Sequence, residues 1–234
     1  MNAEEHIRYT RLIAIENIGR AGVEKLNNAT VLVVGCGALG SMAAMQLAAS
    51  GVGRIRIVDF DTIDLSNLQR QFFFTSDETG KGKAEVLAQR MSNLNPNVKV
   101  EVHNSLFCEK NARNLISGCD FVVEATDNPD SMTTVDRICG EMGVRCVLAG
   151  VSDFSGQVMT CLPGKRRYSD IFSQIEEGGV LPCSLNGVAG PAAAVAASIE
   201  AAEAIKSIAG ITPLLSDRML VFDLMDLSFD LIET

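Results

Sequence analysis

Residues 29–40, ATVLVVGCGALG, join a run of apolar and β-branched residues to a turn that contains three glycines. Small residues continue to about residue 50, so the stretch predicts a strand, a turn and a closely packed helix. Gly35 permits the tight turn, Gly37 lets backbone N–H groups approach phosphate oxygens, and Gly40 lets the helix pack against the strand. The pattern therefore predicts a nucleotide-binding turn.

An acidic residue follows this turn at the spacing that nucleotide sites use. Asp59 lies at the end of the next apolar run, RIRIVDFD (residues 54–61), 19 residues after Gly40. A carboxylate in this position accepts hydrogen bonds from ribose hydroxyls in dinucleotide sites. Glycine patterns alone are weak signals, but the strand, the helix and the acid together favour nucleotide binding over a purely structural turn.

Short apolar runs alternate with helical segments on both sides of this unit. This alternation predicts an α/β fold that is doubly wound and Rossmann-like, with a mostly parallel sheet covered on both faces. The polar stretch that follows Asp59 has no clear period and predicts a long functional loop. Further strands are predicted at 97–103, 119–126 and 144–151, and helices at 82–94, 109–117 and 129–142.

The rhythm changes after Gly150, where SGQVMTCLP predicts a strand, residues 163–186 a polar loop, and residues 187–209 a helix. Residues 219–232 predict one or two terminal strands. No Pro- or Ser-rich linker separates this part, so we expect one domain with a C-terminal strand extension. Its parts are a helical lead-in at 1–27, a nucleotide-binding core at 28–150, and an extension with a crossover loop at 151–234.

The composition excludes several classes of protein. The chain has 234 residues, 47% of them hydrophobic, and a formal net charge of -9. A negative overall field disfavours binding to nucleic acid or to an anionic membrane surface. The charged N-terminus has no apolar export segment, and no apolar run is long enough to cross a bilayer, so we expect a cytoplasmic protein.

Seven cysteines are scattered through apolar segments, and an odd, scattered set fits reduced thiols better than a disulfide framework. No two of them stand three residues apart, and only two histidines could assist them. The spacing therefore predicts no zinc site.

The residues after Asp59 distinguish ATP from a nicotinamide dinucleotide. A pyrophosphate is bound largely by a helix N-terminus, whereas a triphosphate carries more charge and needs cationic side chains and a metal ion. Arg70, in LSNLQRQ, and Lys83, in GKGKAE, supply such cations beyond the second strand. Solvated surface charge is the ordinary alternative for both residues.

Four motifs carry a resemblance to a known family. GCGALG, VDFDTIDLSNLQRQF, GKGKAE and EATDN occur in the order and approximate spacing of the ThiF/MoeB/HesA family, the bacterial relatives of ubiquitin-activating enzymes. The resemblance extends from RYTR (8–11) to EAIKSIAG (203–210). It implies ATP- and magnesium-dependent adenylation of the C-terminal carboxylate of a small ubiquitin-like sulfur-carrier protein. Such carriers commonly end in Gly-Gly and serve thiamine, molybdopterin or related sulfur metabolism.

The resemblance also implies roles for individual residues. Asp59 would hold the ribose, Gln71 would support the phosphate contacts, and Asp127 would assist the magnesium ion and the reacting α-phosphate. Arg11 resembles the arginine that family homodimers contribute to the partner subunit's ATP site. The expected nucleotide contacts are Gly35, Gly37, Ala38, Gly40, Asp59, Asp61, Asn67, Arg70, Gln71, Lys83, Asp127 and Asn128, and the expected catalytic residues are Arg70, Asp127, Arg11 and Cys183.

Three departures from the family pattern affect these expectations. Ala38 stands where many members have glycine, which is a mild change because only the backbone N–H is needed there. Two Cys-x-x-Cys pairs that hold zinc in many members are absent. Cys183 matches the position of a cysteine implicated in sulfur or acyl transfer, and an inert thiol is an equal alternative because reactivity needs local positive charge.

The sequence leaves two other functions open. A nicotinamide-dependent oxidoreductase would use the same glycine turn, although Arg70, Lys83 and the lack of an obvious acid–base histidine weigh against it. A non-catalytic, regulatory nucleotide-binding protein would bind ATP without turnover. A relative that adenylates tRNA is disfavoured by the negative charge. The sequence names neither the carrier nor the pathway.

Overall fold

A computed structural model describes residues 3–172 and 187–234. Its centre is one eight-stranded sheet with the strand order β3-β2-β1-β4-β5-β6-β7-β8. The strands are β1 (Thr30–Val34), β2 (Arg54–Val58), β3 (Lys99–His103), β4 (Phe121–Glu124), β5 (Arg145–Ser152), β6 (Ser155–Cys161), β7 (Arg218–Asp223) and β8 (Ser228–Glu233).

Strands β1 to β5 are parallel to one another, and helices cover both faces of this part of the sheet. Val31 and Val33 of β1 belong to one apolar core, whereas Leu32 and Val34 belong to the core on the other face, because successive side chains of a strand point in opposite directions. The predicted doubly wound architecture is confirmed. The helices are α1 (Ala3–Ile13), α2 (Gly19–Asn28), α3 (Ala38–Ala49), α4 (Lys83–Leu94), α5 (Glu109–Ile116), α6 (Pro129–Met142), α7 (Tyr168–Phe172) and α8 (Gly190–Ala209).

The last three strands are antiparallel to their neighbours. Ser152 of β5 pairs with Ser155 of β6, so only two residues make the turn, and Asp153 adopts a left-handed φ of 52° there. A two-residue turn of this kind forces the next strand to run antiparallel. The expected C-terminal strand extension is confirmed, and it contains both of the terminal strands.

Two segments differ in detail from the sequence-based expectation. The helical lead-in consists of two helices, α1 and α2, which are separated before Gly19, a residue with a φ of 54°. The segment 163–186 was expected to be a loop, but its described part contains the short helix α7. The carboxylate of Asp170 stabilises the start of α7 by accepting a hydrogen bond from the Arg167 amide at 2.8 Å.

Helix α8 is rich in alanine and lies against α3 and the sheet, where its small side chains permit close packing. Within residues 3–172 and 187–234, no helix combines the length and the apolar character that a membrane span requires.

Candidate functional site

The turn between β1 and α3 has a geometry that only glycine allows. Gly35 adopts a φ of 90°, and a Cβ on Gly40 would lie 1.9 Å from the Gly35 carbonyl oxygen. Helix α3 begins at Ala38 after Gly37, and none of the described side chains caps it. The first backbone N–H groups of α3 therefore remain available for an anion.

The space next to Gly37 is bordered by one buried amide side chain. A Cβ added to Gly37 would have only Gln71 Nε2 within 4 Å among the described residues, at 3.7 Å. Gln71 is 4% exposed, and its Oε1 atom accepts no hydrogen bond from the described part of the chain. The turn thus leaves room for a ligand beside a polar side chain that still has bonding capacity.

Asp59 ties the end of β2 to the glycine turn. Its Oδ2 atom accepts a hydrogen bond from the Cys36 amide at 2.5 Å, and its Oδ1 atom accepts one from the Asp61 amide at 2.7 Å. Burial raises the pKa of Asp59 above its usual value, and the two amide hydrogen bonds oppose this shift. The carboxylate therefore fixes the position of the turn relative to β2.

Lys83, the first residue of α4, brings a cation to the same edge of the sheet. Its ammonium lies 2.9 Å from Asp61 Oδ2, and its amide donates a hydrogen bond to the Asp61 carbonyl oxygen at 3.0 Å. The Lys83 side chain is 6% exposed, whereas that of Asp61 is 50% exposed. An ammonium has three donors, and within the described residues only the bond to Asp61 is made, so the others are available for a ligand.

Arg70 lies in a folded loop that packs against the start of α8. A short 3-10 helix, Leu65–Asn67, precedes it, and Arg70 Nη1 donates a hydrogen bond to the Ser66 carbonyl oxygen at 3.2 Å. A Cβ on Gly190 would lie 3.1 Å from the Gln69 carbonyl oxygen. Arg70 is adjacent in the chain to Gln71, whose side chain borders the space beside Gly37.

The end of β4 forms the other wall of the turn. A Cβ on Gly35 would lie 2.9 Å from the Ala125 carbonyl oxygen, so this loop and the turn are in direct contact. The Asn128 side chain caps α6 by accepting a hydrogen bond from the Asp130 amide at 2.9 Å. Asp127 stands between them and is exposed. The cap holds the loop that carries Asp127.

The match to the ThiF family model covers residues 9–234, almost the whole chain. The chain belongs to the ThiF family.

Individual relatives and solved structures agree with this membership. The SAMP-activating enzyme E1 of Haloferax volcanii is 35% identical over 98% of this chain and 86% of its own length. The sulfur carrier protein adenylyltransferase of Thermus thermophilus is 35% identical over 97% of this chain and 86% of its own length. A crystal structure of E. coli MccB with ATP superposes with a TM-score of 0.82 at 25% identity, covering 99% of this chain and 72% of that one.

The ThiF-family fold brings most of the predicted site residues to one edge, where the parallel strands end. Among the described residues, the exception is Arg11. Arg11 lies on α1, whose Arg8 donates a hydrogen bond to the Leu94 carbonyl oxygen at the far end of α4. Lys83 begins α4, and a helix of this length spans roughly 18 Å, so Arg11 is remote from its own chain's edge. Cys183 lies outside the described residues.

Two buried carboxyl groups beneath this edge were missed by reasoning from the sequence. Glu124 ends β4, Glu200 lies on α8, and both are 0% exposed. Thr126 donates hydrogen bonds to Glu124 Oε1, but Glu124 Oε2 and both Glu200 carboxyl oxygens accept none from the described residues. Burial raises the pKa of Glu124 to about 8 and that of Glu200 well above its usual value. The sequences of β4 and α8 do not indicate that Glu124 and Glu200 lie near each other, because the two residues belong to elements far apart in the chain.

Proposed function

We propose that this protein is an ATP-dependent adenylyltransferase that activates the C-terminal carboxylate of a small ubiquitin-like sulfur-carrier protein ending in Gly-Gly. An oxygen of that carboxylate attacks the α-phosphorus of ATP, and the bond from this phosphorus to the bridging oxygen breaks. Pyrophosphate leaves, and the product is an acyl adenylate that a sulfur nucleophile can attack. The chemistry is electrostatic positioning rather than proton transfer by a side chain.

The observation that carries this proposal is the group of cations around the glycine turn. Lys83 is buried and has hydrogen-bond donors that the described residues do not use, and Arg70 is next in the chain to Gln71, whose amide borders the space beside Gly37. A dinucleotide needs little beyond the helix N-terminus, whereas a triphosphate needs cations of this kind. As the carboxylate approaches, both cations offset the repulsion between two negatively charged reactants.

We assign each residue near the glycine turn a role in binding the nucleotide. The amides of the turn bind phosphate oxygens, Asp59 uses its remaining lone pairs for the ribose, and Asp61 orients Lys83. Asn67 and Gln71 supply polar contacts from the loop, and Asn128 holds the α6 end of the site. The turn itself comprises Gly35, Gly37, Ala38 and Gly40.

Asp127 suits a magnesium ion, because it is an exposed carboxylate at the loop that contacts the glycine turn. Carboxylate oxygens together with substrate phosphates are the usual ligands of Mg²⁺. When bound, the ion neutralises phosphate charge and makes pyrophosphate a better leaving group.

The names of the relatives support the same substrate class. One is called a sulfur carrier protein adenylyltransferase, and this chain spans 86% of it. Another is called a SAMP-activating enzyme E1, and the structural neighbour MccB is described with ATP.

The test is carrier-dependent exchange of labelled pyrophosphate into ATP by the purified protein. We expect exchange with a Gly-Gly carrier and none with the same carrier lacking its last glycine. A nicotinamide absorbance change without exchange would instead indicate an oxidoreductase. ATP binding with no turnover against any Gly-Gly carrier encoded in the same genome would indicate a regulatory protein.

The same proposal includes a homodimer in which Arg11 completes the partner's ATP site. Its support is the remoteness of α1 from the edge in its own chain, because Tyr9 OH accepts a hydrogen bond from Asn95, just beyond α4. An isologous dimer would then contain two shared sites. Cys183 stays a candidate for sulfur or acyl transfer within that site.

A mixture of two inactive variants tests the shared site. Arg11→Ala and Arg70→Ala are each expected to be inactive alone. After subunit exchange, each heterodimer regains one unaltered site, so part of the activity returns. If the mixture stays inactive although exchange is demonstrated by mass spectrometry, Arg11 does not act in the partner's site.

A further inference from the structure

Four polar side chains meet in the apolar core on the side of α6, toward the edge of the sheet opposite the strand ends that carry the proposed ATP site. Asp136 and Cys139 lie three residues apart on α6, and Cys146 of β5 pairs directly with Cys161 of β6. We call these four residues the thiol cluster. Cys146 is the second residue of β5, and β6 runs antiparallel, so the cluster lies near the amino-terminal edge of the parallel sheet.

Three members of the thiol cluster have the spacing of metal ligands. One carboxylate oxygen of Asp136 and the Sγ atoms of Cys146 and Cys161 all lie within 4.8 Å of one another. Cys139 lies on the same helix three residues after Asp136, and its thiol is a neighbour of the Cys146 thiol. Ligand atoms around a tetrahedral zinc ion lie roughly 3.5–4 Å apart, so small side-chain rotations would bring this set to bonding positions.

The carboxylate of Asp136 keeps capacity for one further ligand. Arg167 Nε donates a hydrogen bond to Oδ1 at 3.0 Å, and the Ser169 amide donates one to Oδ2 at 3.1 Å. Arg167 Nη2 forms an ion pair with Oδ1 at 2.7 Å and donates its hydrogen bond to the Asp136 carbonyl oxygen. Two carboxylate oxygens offer about four lone-pair positions, so one on Oδ2 remains.

Arg167 supplies the charge that such a site needs around it. Its guanidinium bonds to Asp136 and lies 3.9 Å from Cys146 Sγ. Three thiolates and one carboxylate around a divalent ion carry a net charge of about −2, and one guanidinium reduces this to about −1. Partners that contact the ligands and not the metal commonly orient the ligands and tune metal affinity in this way.

We propose that the thiol cluster binds one Zn²⁺ ion through the sulfurs of Cys139, Cys146 and Cys161 and an oxygen of Asp136. Each thiol loses its S–H proton to solvent as a zinc–sulfur bond forms. One zinc ion thus replaces three protons, and no oxidant or reductant takes part. Three sulfur ligands and one oxygen, closed off from solvent, form a structural zinc site without an open position.

The spacing of the cysteines along the chain predicted no zinc site, and this proposal opposes that expectation. The fold, and not the spacing, brings the ligands together from one helix and two strands. All three thiols are buried among apolar side chains of the core on the α6 side of the sheet. A metal ion is the partner that would convert them to thiolates.

The first measurement is the metal content of the full chain, purified without a histidine tag and passed through a mild chelator. Elemental analysis should find one zinc ion per chain. After zinc removal, Co²⁺ titration should saturate at one equivalent, with the thiolate-to-cobalt charge-transfer absorption of a tetrahedral sulfur site. No zinc in the purified protein, together with no such absorption, would overturn the proposal.

Single substitutions test whether zinc binding requires the thiol cluster or any buried cysteine. Cys146→Ser and Cys161→Ser should lose the stoichiometric metal, whereas Cys119→Ser, which alters a buried thiol of the same apolar core outside the cluster, should keep it. Arg167→Gln leaves all four ligands in place and should weaken zinc binding about 10-fold to 100-fold in competition with a chelator. Equal zinc content in all four variants would contradict the assignment.

A disulfide is the competing state of two directly paired cysteines. If the intact mass under non-reducing conditions is two hydrogens lower, and peptide mapping links Cys146 to Cys161, the thiol cluster holds a covalent bond and not a metal. Because the wild-type mass and metal content decide this, the result does not depend on whether any variant folds.

Discussion

Two groups of ionisable side chains at the carboxyl ends of the strands differ in their exposure and in their hydrogen-bond partners. Asp61 and Lys83 are paired with each other, and Asp127 is exposed. Each of the three still has hydrogen-bonding capacity for a ligand. Glu124 and Glu200 lie directly beneath, fully buried, with three carboxyl oxygens that accept no hydrogen bond from the described residues. We call the first group, with Asp59 and Arg70, the edge groups, and the second the buried pair.

The difference indicates that the edge groups serve the reaction and that the buried pair affects the stability of the fold. A charge that stabilises a transition state must be free of a full set of protein partners before the substrate arrives. A carboxyl group that is buried without a cation avoids its charge by keeping its proton. Changes in the edge groups should therefore alter activity, and changes in the buried pair should alter stability.

The largest effect is expected at Arg70 and Asp127. Arg70→Ala and Asp127→Ala should each lower carrier adenylation by about 100-fold to 1,000-fold or more, because each acts on charge that develops at the phosphates. Since Asp127 is exposed and Arg70 donates only to the Ser66 carbonyl oxygen among the described residues, the free energy of unfolding should change by less than about 0.5 kcal/mol. Pyrophosphate exchange and denaturant titration measure the two quantities. Exchange at the wild-type rate would remove either residue from the mechanism.

Asp59 should affect both activity and stability, because it is an edge group that also accepts structural hydrogen bonds. Asp59→Ala removes the proposed ribose contact and should raise the ATP dissociation constant by roughly 10-fold to 100-fold. It also removes the hydrogen bonds from the Cys36 and Asp61 amides and should cost about 1–3 kcal/mol of stability. Calorimetric titration with ATP and denaturant unfolding provide the test. An unchanged dissociation constant would exclude the ribose role.

The buried pair should respond to pH in a defined direction. The folded pKa of Glu124 is about 8, above the ordinary value of 4.5, so the folded state holds a proton that the unfolded chain has released between these values. Its stabilising contribution is complete below about pH 4.5 and decreases as pH rises to about 8, by at most about 1.4 kcal/mol per pH unit. Glu124→Gln does not titrate, so its stability relative to wild type should increase across this window.

Denaturant unfolding of both proteins between pH 5 and 8 measures this difference. Glu24→Gln, at an exposed position of α2, is the matched control and should follow wild type at every pH. A constant difference between Glu124→Gln and wild type across the window would show that Glu124 is ionised in the folded protein.

The smallest effect is expected at Ala38. Ala38→Gly leaves the backbone N–H in place at the first position of α3, so adenylation should stay within about twofold of wild type. Stability should fall by no more than about 1 kcal/mol, because glycine is a poorer helix former. A large loss of activity would show that the methyl group of Ala38 contacts the nucleotide.

The features that the sequence predicted correctly depend on residues that are close to one another in the chain. Gly35 and Gly40 were predicted because one turn requires both, and the position of Asp59 follows from the length of one helix and one strand. The same reasoning missed helix α7, whose start depends on a local bond between Asp170 and the Arg167 amide within a polar segment.

Convergence of distant residues was not predictable in this way. Glu124 and Glu200 are separated by 76 positions (200 minus 124) along the chain, and the thiol cluster draws on α6, β5 and β6. Helix and strand periods determine which face a residue occupies, but not which residue of another element lies opposite it. Only the packed structure contains that information.

The bond from the Cys36 amide to Asp59 has a consequence for the thermodynamics of ligand capture. Together with the bond from the Gly35 amide to the Val58 carbonyl oxygen, it holds the turn in shape before any nucleotide arrives. The entropic cost of ordering these residues therefore arises during folding. It does not weaken the binding of ATP. The association rate should accordingly be set by diffusion and charge attraction rather than by a rearrangement of the turn.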